Sequence, residues 1–132
     1  MPDGELQGFA FCGETFSPRN VSISIENGII TRIAESKKQV TRWIAPAFFN
    51  AHTHIADTVA MDTPVGGRPL ADLVAPPDGL KHRILRATPD ARMSLAMQET
   101  MQFMHATGTA AFAEFREGGT TGVRLLQQAV IP

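Results

Sequence analysis

Ile44-Ala45-Pro46-Ala47-Phe48-Phe49-Asn50-Ala51-His52-Thr53-His54-Ile55 is the stretch whose reading decides the fold. After Pro46 its residues are nearly all apolar or small, the composition of a strand buried on both faces of a parallel sheet. A strand is therefore predicted over residues 47–55. Strand side chains alternate with period two, so His52 and His54 project from the same face. Two imidazoles at the end of one strand can reach a single metal ion, whereas a helix needs a spacing of three or four for the same result. The tripeptide His52-Thr53-His54 therefore points to metal-assisted hydrolysis.

Upstream of Pro46 the pattern is all-β. Residues 6–11 form a short apolar run ending at Cys12-Gly13, and Val21-Ser22-Ile23-Ser24-Ile25 alternates strictly, as a half-buried strand does. Asn27-Gly28 is the pair best suited to the positive φ angles of a two-residue type I′ turn, and Ile29-Ile30-Thr31-Arg32-Ile33 returns as the second arm. Thr41-Arg42-Trp43-Ile44 is a fourth strand.

Downstream, residues 57–87 are interrupted by Pro64, Gly66-Gly67, Pro69, Pro76-Pro77 and Gly79. This excursion is predicted to hold two short helices, at 70–74 and 80–86, and its length marks it as functional. The clearest helix follows. Thr88 is its predicted cap, Pro89 suits the first helical position, and Asp90 favours the positive helix start. Met93, Met97, Met101 and Met104 recur at three or four residues and make one apolar stripe for packing on a sheet, and Gly108 ends the helix. A second buried-type strand at 109–115, the pair Gly118-Gly119 and a helix from about 120 to 130 complete a strand–helix–strand–helix order. That order implies a parallel α/β arrangement.

With 132 residues and 43% apolar composition the chain can bury a core, divided on this reading into segments 1–45 and 46–132. A formal net charge of -1 leaves no basic footprint, so nucleic acid is excluded as a partner. The single cysteine, Cys12, permits no intrachain disulfide and reads as a small buried or half-buried filler. Met1-Pro2-Asp3-Gly4-Glu5 lacks the basic and apolar regions of a signal peptide. No apolar stretch approaches the ~20 residues that span a bilayer. The expectation is a cytoplasmic protein with no membrane partner.

An Ile-Glu-Asn-Gly-Ile-Ile hairpin (Ile25 to Ile30), followed by a proline-led apolar strand ending in Asn50-Ala51-His52-Thr53-His54, resembles the amidohydrolase superfamily. The closer likeness is to its cytosine deaminase and chlorohydrolase-like members. The resemblance implies an α/β fold in which N-terminal β-sandwich strands precede the first β/α units of an incomplete (β/α)8 barrel. It also implies that His52 and His54 are metal ligands, the family's His-x-His pair. Many members carry glycine where this chain has Ala47 and aspartate where it has Asn50, but neither position is a ligand. The implied cofactor is a divalent ion, zinc or iron, that lowers the pKa of a water for attack. The implied reaction is cleavage of non-peptide C–N bonds, by deamination or cyclic amide or amidine hydrolysis, or of C–Cl bonds in a small-molecule substrate.

A complete barrel takes about 250 residues, so the family's later ligands fall outside this chain, and its metal site is expected to be incomplete and its isolated activity negligible. Self-association or a complementing chain is the expected partner, since open sheet edges attract one. The rival reading is a non-catalytic interaction or structural module that keeps the fold's N-terminal half. Three further residues are candidates for substrate contact. Asp57 lies in the loop after the first strand, where a solvated carboxylate or helix cap is its plainer role. Glu114 is a carboxylate within an apolar strand, costly to bury unless paired, and alternation sets Arg116 on its face. An ion pair between them and a substrate contact both remain open. His82, within Lys81-His82-Arg83, reads as part of a solvated basic face, and His105 as a cation at a helix C-terminus.

Overall fold

The computed structural model describes residues 3–38 and 40–130. The chain divides into two compact units, Met1–Pro46 and Ala47–Pro132.

The first unit is one mixed sheet. Strands β1 (Gly4–Cys12), β2 (Ser17–Glu26), β3 (Ile29–Glu35) and β4 (Trp43–Ile44) lie in the order β3-β2-β1-β4. β2 runs antiparallel to both β1 and β3, and the two residues of β4 pair parallel with β1. The predicted hairpin forms between β2 and β3, with Asn27 at φ 53° and Gly28 at φ 75° carrying the turn. The alternation of β2 becomes one buried row, Val21, Ile23 and Ile25, which packs with Ala10 and is flanked by Leu6, Cys12 and Ile44. Val21, Ile23 and Ile25 each contribute about 1.5–3 kcal/mol by leaving water. The expected β-sandwich is not observed, because a sandwich needs two facing sheets and the described residues of this unit make one.

The second unit carries a two-stranded parallel sheet, β5 (Phe48–Thr53) and β6 (Thr109–Glu114). Between them come a 3₁₀ helix (Ile55–Ala60) and helices α1 (Leu70–Val74), α2 (Leu80–Ala87) and α3 (Asp90–Ala106), and α4 (Gly119–Ala129) follows β6. The methionine stripe packs as its spacing requires. Met93 and Met97 are buried with Ile55, Ala56 and Ala129, and Met101, Met104, Phe112, Leu125 and Leu126 close around them. Pro89 occupies the N-cap of α3, and Thr88, instead of capping it, donates its hydroxyl back to the Ile84 carbonyl of α2 at 2.8 Å.

The opening of a (β/α)8 barrel is also not observed. A barrel alternates each strand with one helix around a closed ring, whereas among the described residues of this unit two parallel strands stand with a 3₁₀ helix and four α-helices. The physical reason lies in β5. Its apolar run predicts burial on both faces, but residues 48–52 are exposed, with Phe48 at 66% and Phe49 at 62%. Composition reports how apolar a strand is, not how many neighbours cover it, and among the described residues β5 pairs with β6 alone. No described helix is long and apolar enough to cross a membrane.

Candidate metal centre

β5 and β6 are parallel, so their C-terminal ends meet at one rim, where open α/β sheets place their ligands. A buried carboxylate fastens the two ends together. Glu114, at the end of β6, accepts the Ile55 backbone N–H at 3.0 and 3.1 Å and the Thr53 hydroxyl at 2.7 Å. Thr53, 8% exposed, also lies 3.0 Å from the Ala113 carbonyl, and its own carbonyl accepts the Phe115 N–H at 2.9 Å. Both residues that flank His54 are thus fixed by Glu114. Past His54 the chain turns into the 3₁₀ helix, with the Asp57 N–H donating to the His54 carbonyl at 2.9 Å.

The strand geometry places the two imidazoles side by side, His52 Nε2 and His54 Nε2 being 3.2 Å apart. The His52 ring stacks on Phe115, centroids 4.2 Å apart at an interplanar angle of 23°. The other ring nitrogen of His54, Nδ1, faces the Glu117 carboxylate at 3.2 Å but off the line that a formed hydrogen bond needs. Glu117 stands in the β6–α4 loop. Lys81 on α2 reaches it at 2.6 Å and Asp57 at 2.7 Å, so one ammonium bridges two carboxylates beside His54.

The five sequence candidates therefore share one rim with different roles. His52 and His54 present ring nitrogens, and Asp57 is held by Lys81. Glu114 and Arg116 turn inward, with side chains 5% and 7% exposed and the Arg116 guanidinium 3.5 Å from Glu114 and 3.4 Å from Glu117. His82, half-buried, donates Nε2–H to the Val74 carbonyl at 3.1 Å, and the exposed His105 sits in the last turn of α3. Sequence reasoning missed Glu117 and Lys81. The parallel strand order was a usable signal for Glu117, because it sets the residues after the second strand beside those after the first. Lys81 gave none, since its neighbours made it look like part of a solvated face.

His54, Asp57 and Glu117 each offer a ligand atom within 4.8 Å of the others and could hold a metal ion. The two carboxylates are already engaged by Lys81. Burial alone pushes the Glu117 carboxyl up, but the Lys81 hydrogen bond, a backbone hydrogen bond and the nearby cations outweigh it and hold the group below the usual carboxylate range. Burial alone would likewise lower Lys81, and the bonds from Asp57 and Glu117 outweigh that and raise it. Both groups are kept charged.

A protein of Methanothermobacter thermautotrophicus named "Putative aminohydrolase" is 40% identical over 126 residues, 89% of this chain and 32% of that protein. An uncharacterized protein of Methanocaldococcus jannaschii is 36% identical over 123 residues, with the same coverage of both chains. A second protein named "Putative aminohydrolase", from Archaeoglobus fulgidus, is 34% identical over 86 residues, 64% of this chain and 24% of the relative. The chain spans about a third of the length of the first two relatives. No protein-family model matches it, and no solved structure does.

Proposed function

We propose that this chain carries the first part of the metal centre of a hydrolase acting on non-peptide C–N bonds, by deamination or by opening a cyclic amide or amidine, in the manner of the amidohydrolase superfamily. The observation that carries the reading is the 3.2 Å separation of His52 Nε2 and His54 Nε2. Two imidazole nitrogens bound to one tetrahedral zinc at 2.0–2.1 Å stand about 3.3 Å apart, so the spacing of the pair matches that of two ligands on one ion. The name aminohydrolase on the relatives supports a C–N substrate.

When bound, a zinc or iron ion would polarise a water for attack on the substrate carbon. His52 and His54 would hold it, and the chain's other residues serve that pair. Phe115 restrains the His52 ring by stacking, and Glu114 holds the Thr53 side chain and the Ile55 backbone on either side of His54. His54, Asp57 and Glu117 form a separate donor group that does not include His52, and its two carboxylates are held by Lys81.

Titration calorimetry with Zn2+ on this chain tests the reading. The expected result is one ion per chain, with affinity at least tenfold weaker in His52→Ala and in His54→Ala. Equal affinity in the double variant would overturn it.

A further inference from the structure

The two histidines are restrained by different devices. His52 has an aromatic face against it, whereas the His54 ring is 6.0 Å from Phe115 and tilted by 36°, too far for the same support. What His54 has instead is a carboxylate at its second nitrogen, with Glu117 Oε1 3.2 Å from Nδ1. A neutral imidazole carries its proton on one nitrogen and a lone pair on the other, and its partner decides which. An ionised carboxylate only accepts. A proton on Nδ1 therefore leaves the lone pair on Nε2, the atom that faces His52.

We propose that Glu117 is a positioning residue for His54: clamped by Lys81, its carboxylate accepts the Nδ1 proton and directs the Nε2 lone pair at the ion shared with His52. The inference rests on the reading of His52 and His54 as ligands. Three features of the loop support it. Lys81 fixes Glu117 and Asp57 together, and the Asp57 N–H holds the His54 carbonyl, so ring and carboxylate belong to one braced unit. Arg116 stands 3.4 Å from the second carboxylate oxygen, a charge contact that keeps the carboxylate ionised without a formed hydrogen bond. Glu117 Oε2 has no hydrogen-bond partner among the described residues, so a small rotation that aligns Oε1 with Nδ1–H breaks no bond at Oε2. Carboxylates placed in this way behind ligating histidines fix the tautomer and the ring orientation.

Two measurements on this chain test the proposal. In the metal-free protein, long-range 1H–15N spectra read the tautomer of His54. The proposal expects the Nδ1–H form in the wild type and a shift toward Nε2–H in Glu117→Ala. In Zn2+ titrations, Glu117→Ala should weaken binding about 10- to 100-fold, the usual effect of losing such a partner. Glu117→Gln, which keeps an acceptor oxygen without the charge, should fall between. If Glu117→Ala does not fold, Lys81→Met leaves the carboxylate in place without its clamp and should also weaken binding, by less. An unchanged tautomer with unchanged affinity in the Glu117 variants, while His52→Ala and His54→Ala still lose zinc, would overturn this inference alone. Zinc affinity indifferent to both histidines would overturn the ligand reading and this inference with it.

Discussion

Glu114→Gln removes one charge and almost no volume, and the structure says it should be expensive. The carboxylate is 5% exposed and faces donors on every side: the Ile55 N–H, the Thr53 hydroxyl and the Arg116 guanidinium. Glutamine keeps one acceptor oxygen for the Ile55 N–H, and its NH2 can donate to Thr53 Oγ1 once that hydroxyl turns to the Ala113 carbonyl, but the Arg116 guanidinium is left facing a neutral amide. Hydrogen bonds to a charged group contribute about 1.5–3 kcal/mol against about 0.5–1.5 for neutral ones, and a buried donor left unpaired costs a further ~1–3 kcal/mol. Their combination gives a loss of about 3 kcal/mol. For a folding unit of 60–100 residues each kcal/mol moves the midpoint by about 4–8 °C, so thermal unfolding followed by circular dichroism should show a fall of roughly 12–24 °C. Glu14→Gln, in an exposed turn, is the control and should stay within about 0.5 kcal/mol of the wild type. Adding Arg116→Met to Glu114→Gln should recover part of the loss, because removing one partner of a buried pair strands the other. A midpoint for Glu114→Gln within 3 °C of the wild type, on a scale of about 4–8 °C per kcal/mol, would refute the role given to Glu114.

Gly122 on α4 has no room for a side chain, since an added Cβ would stand 1.9 Å from the Glu117 carbonyl oxygen and 3.0 Å from its carbon. Gly122→Ala should therefore lose about 1–3 kcal/mol by urea denaturation despite alanine's helix preference, while Gly66→Ala, in open space, should lose nothing. Met97→Ala empties a fully buried position in the core of the second unit and should cost about 2–5 kcal/mol, against under 1 kcal/mol for the exposed Gln102→Ala. The Lys81–Glu117 contact sets a pH window. Glu117 is lowered on folding, so its contribution is present above the unfolded value of about 4.3 and fades as pH falls through the lower folded value. Lys81 is raised, so its contribution is complete below about 10.4 and fades as pH rises through the higher folded value. Midpoints measured from pH 3 to 11, a range chosen to bracket both groups' ordinary values, should show Lys81→Met least stable relative to wild type in the middle. Parallel curves would contradict this.

What could be read from the chain follows the range of the interactions involved. The β2–β3 hairpin was legible because a turn of two residues and an alternation of five state it locally. The stripe of Met93, Met97, Met101 and Met104 was legible for the same reason, since a helix carries its own periodicity. The second hairpin, β1 to β2 through the turn at residues 13–16, went unread because no Asn-Gly pair marks it, and Phe16 adopts φ 50° without a sequence signature. The sandwich and the barrel failed on something no local pattern contains, the number of strands that stand beside a given one. The exposed Phe48 and Phe49 have the composition of an interior strand without an interior around them.

The candidate site divides along the same line. That His52 and His54 lie side by side was legible because period two acts within three residues of one strand. Glu117, Lys81 and Asp57 come from the β6–α4 loop, α2 and the 3₁₀ helix, and only tertiary packing brings them together. Their formal charges bear on the ion proposed at the histidine pair. Asp57, Glu114 and Glu117 supply three negative charges around His54, and Lys81 and Arg116 return two. Lys81 and Arg116 thus offset most of the cost of gathering carboxylates at this rim, and the single negative charge left over lies next to two imidazole nitrogens that could share an ion. That surplus attracts a cation to the rim with Lys81 left in place, and a cation is the occupant proposed for the histidine pair.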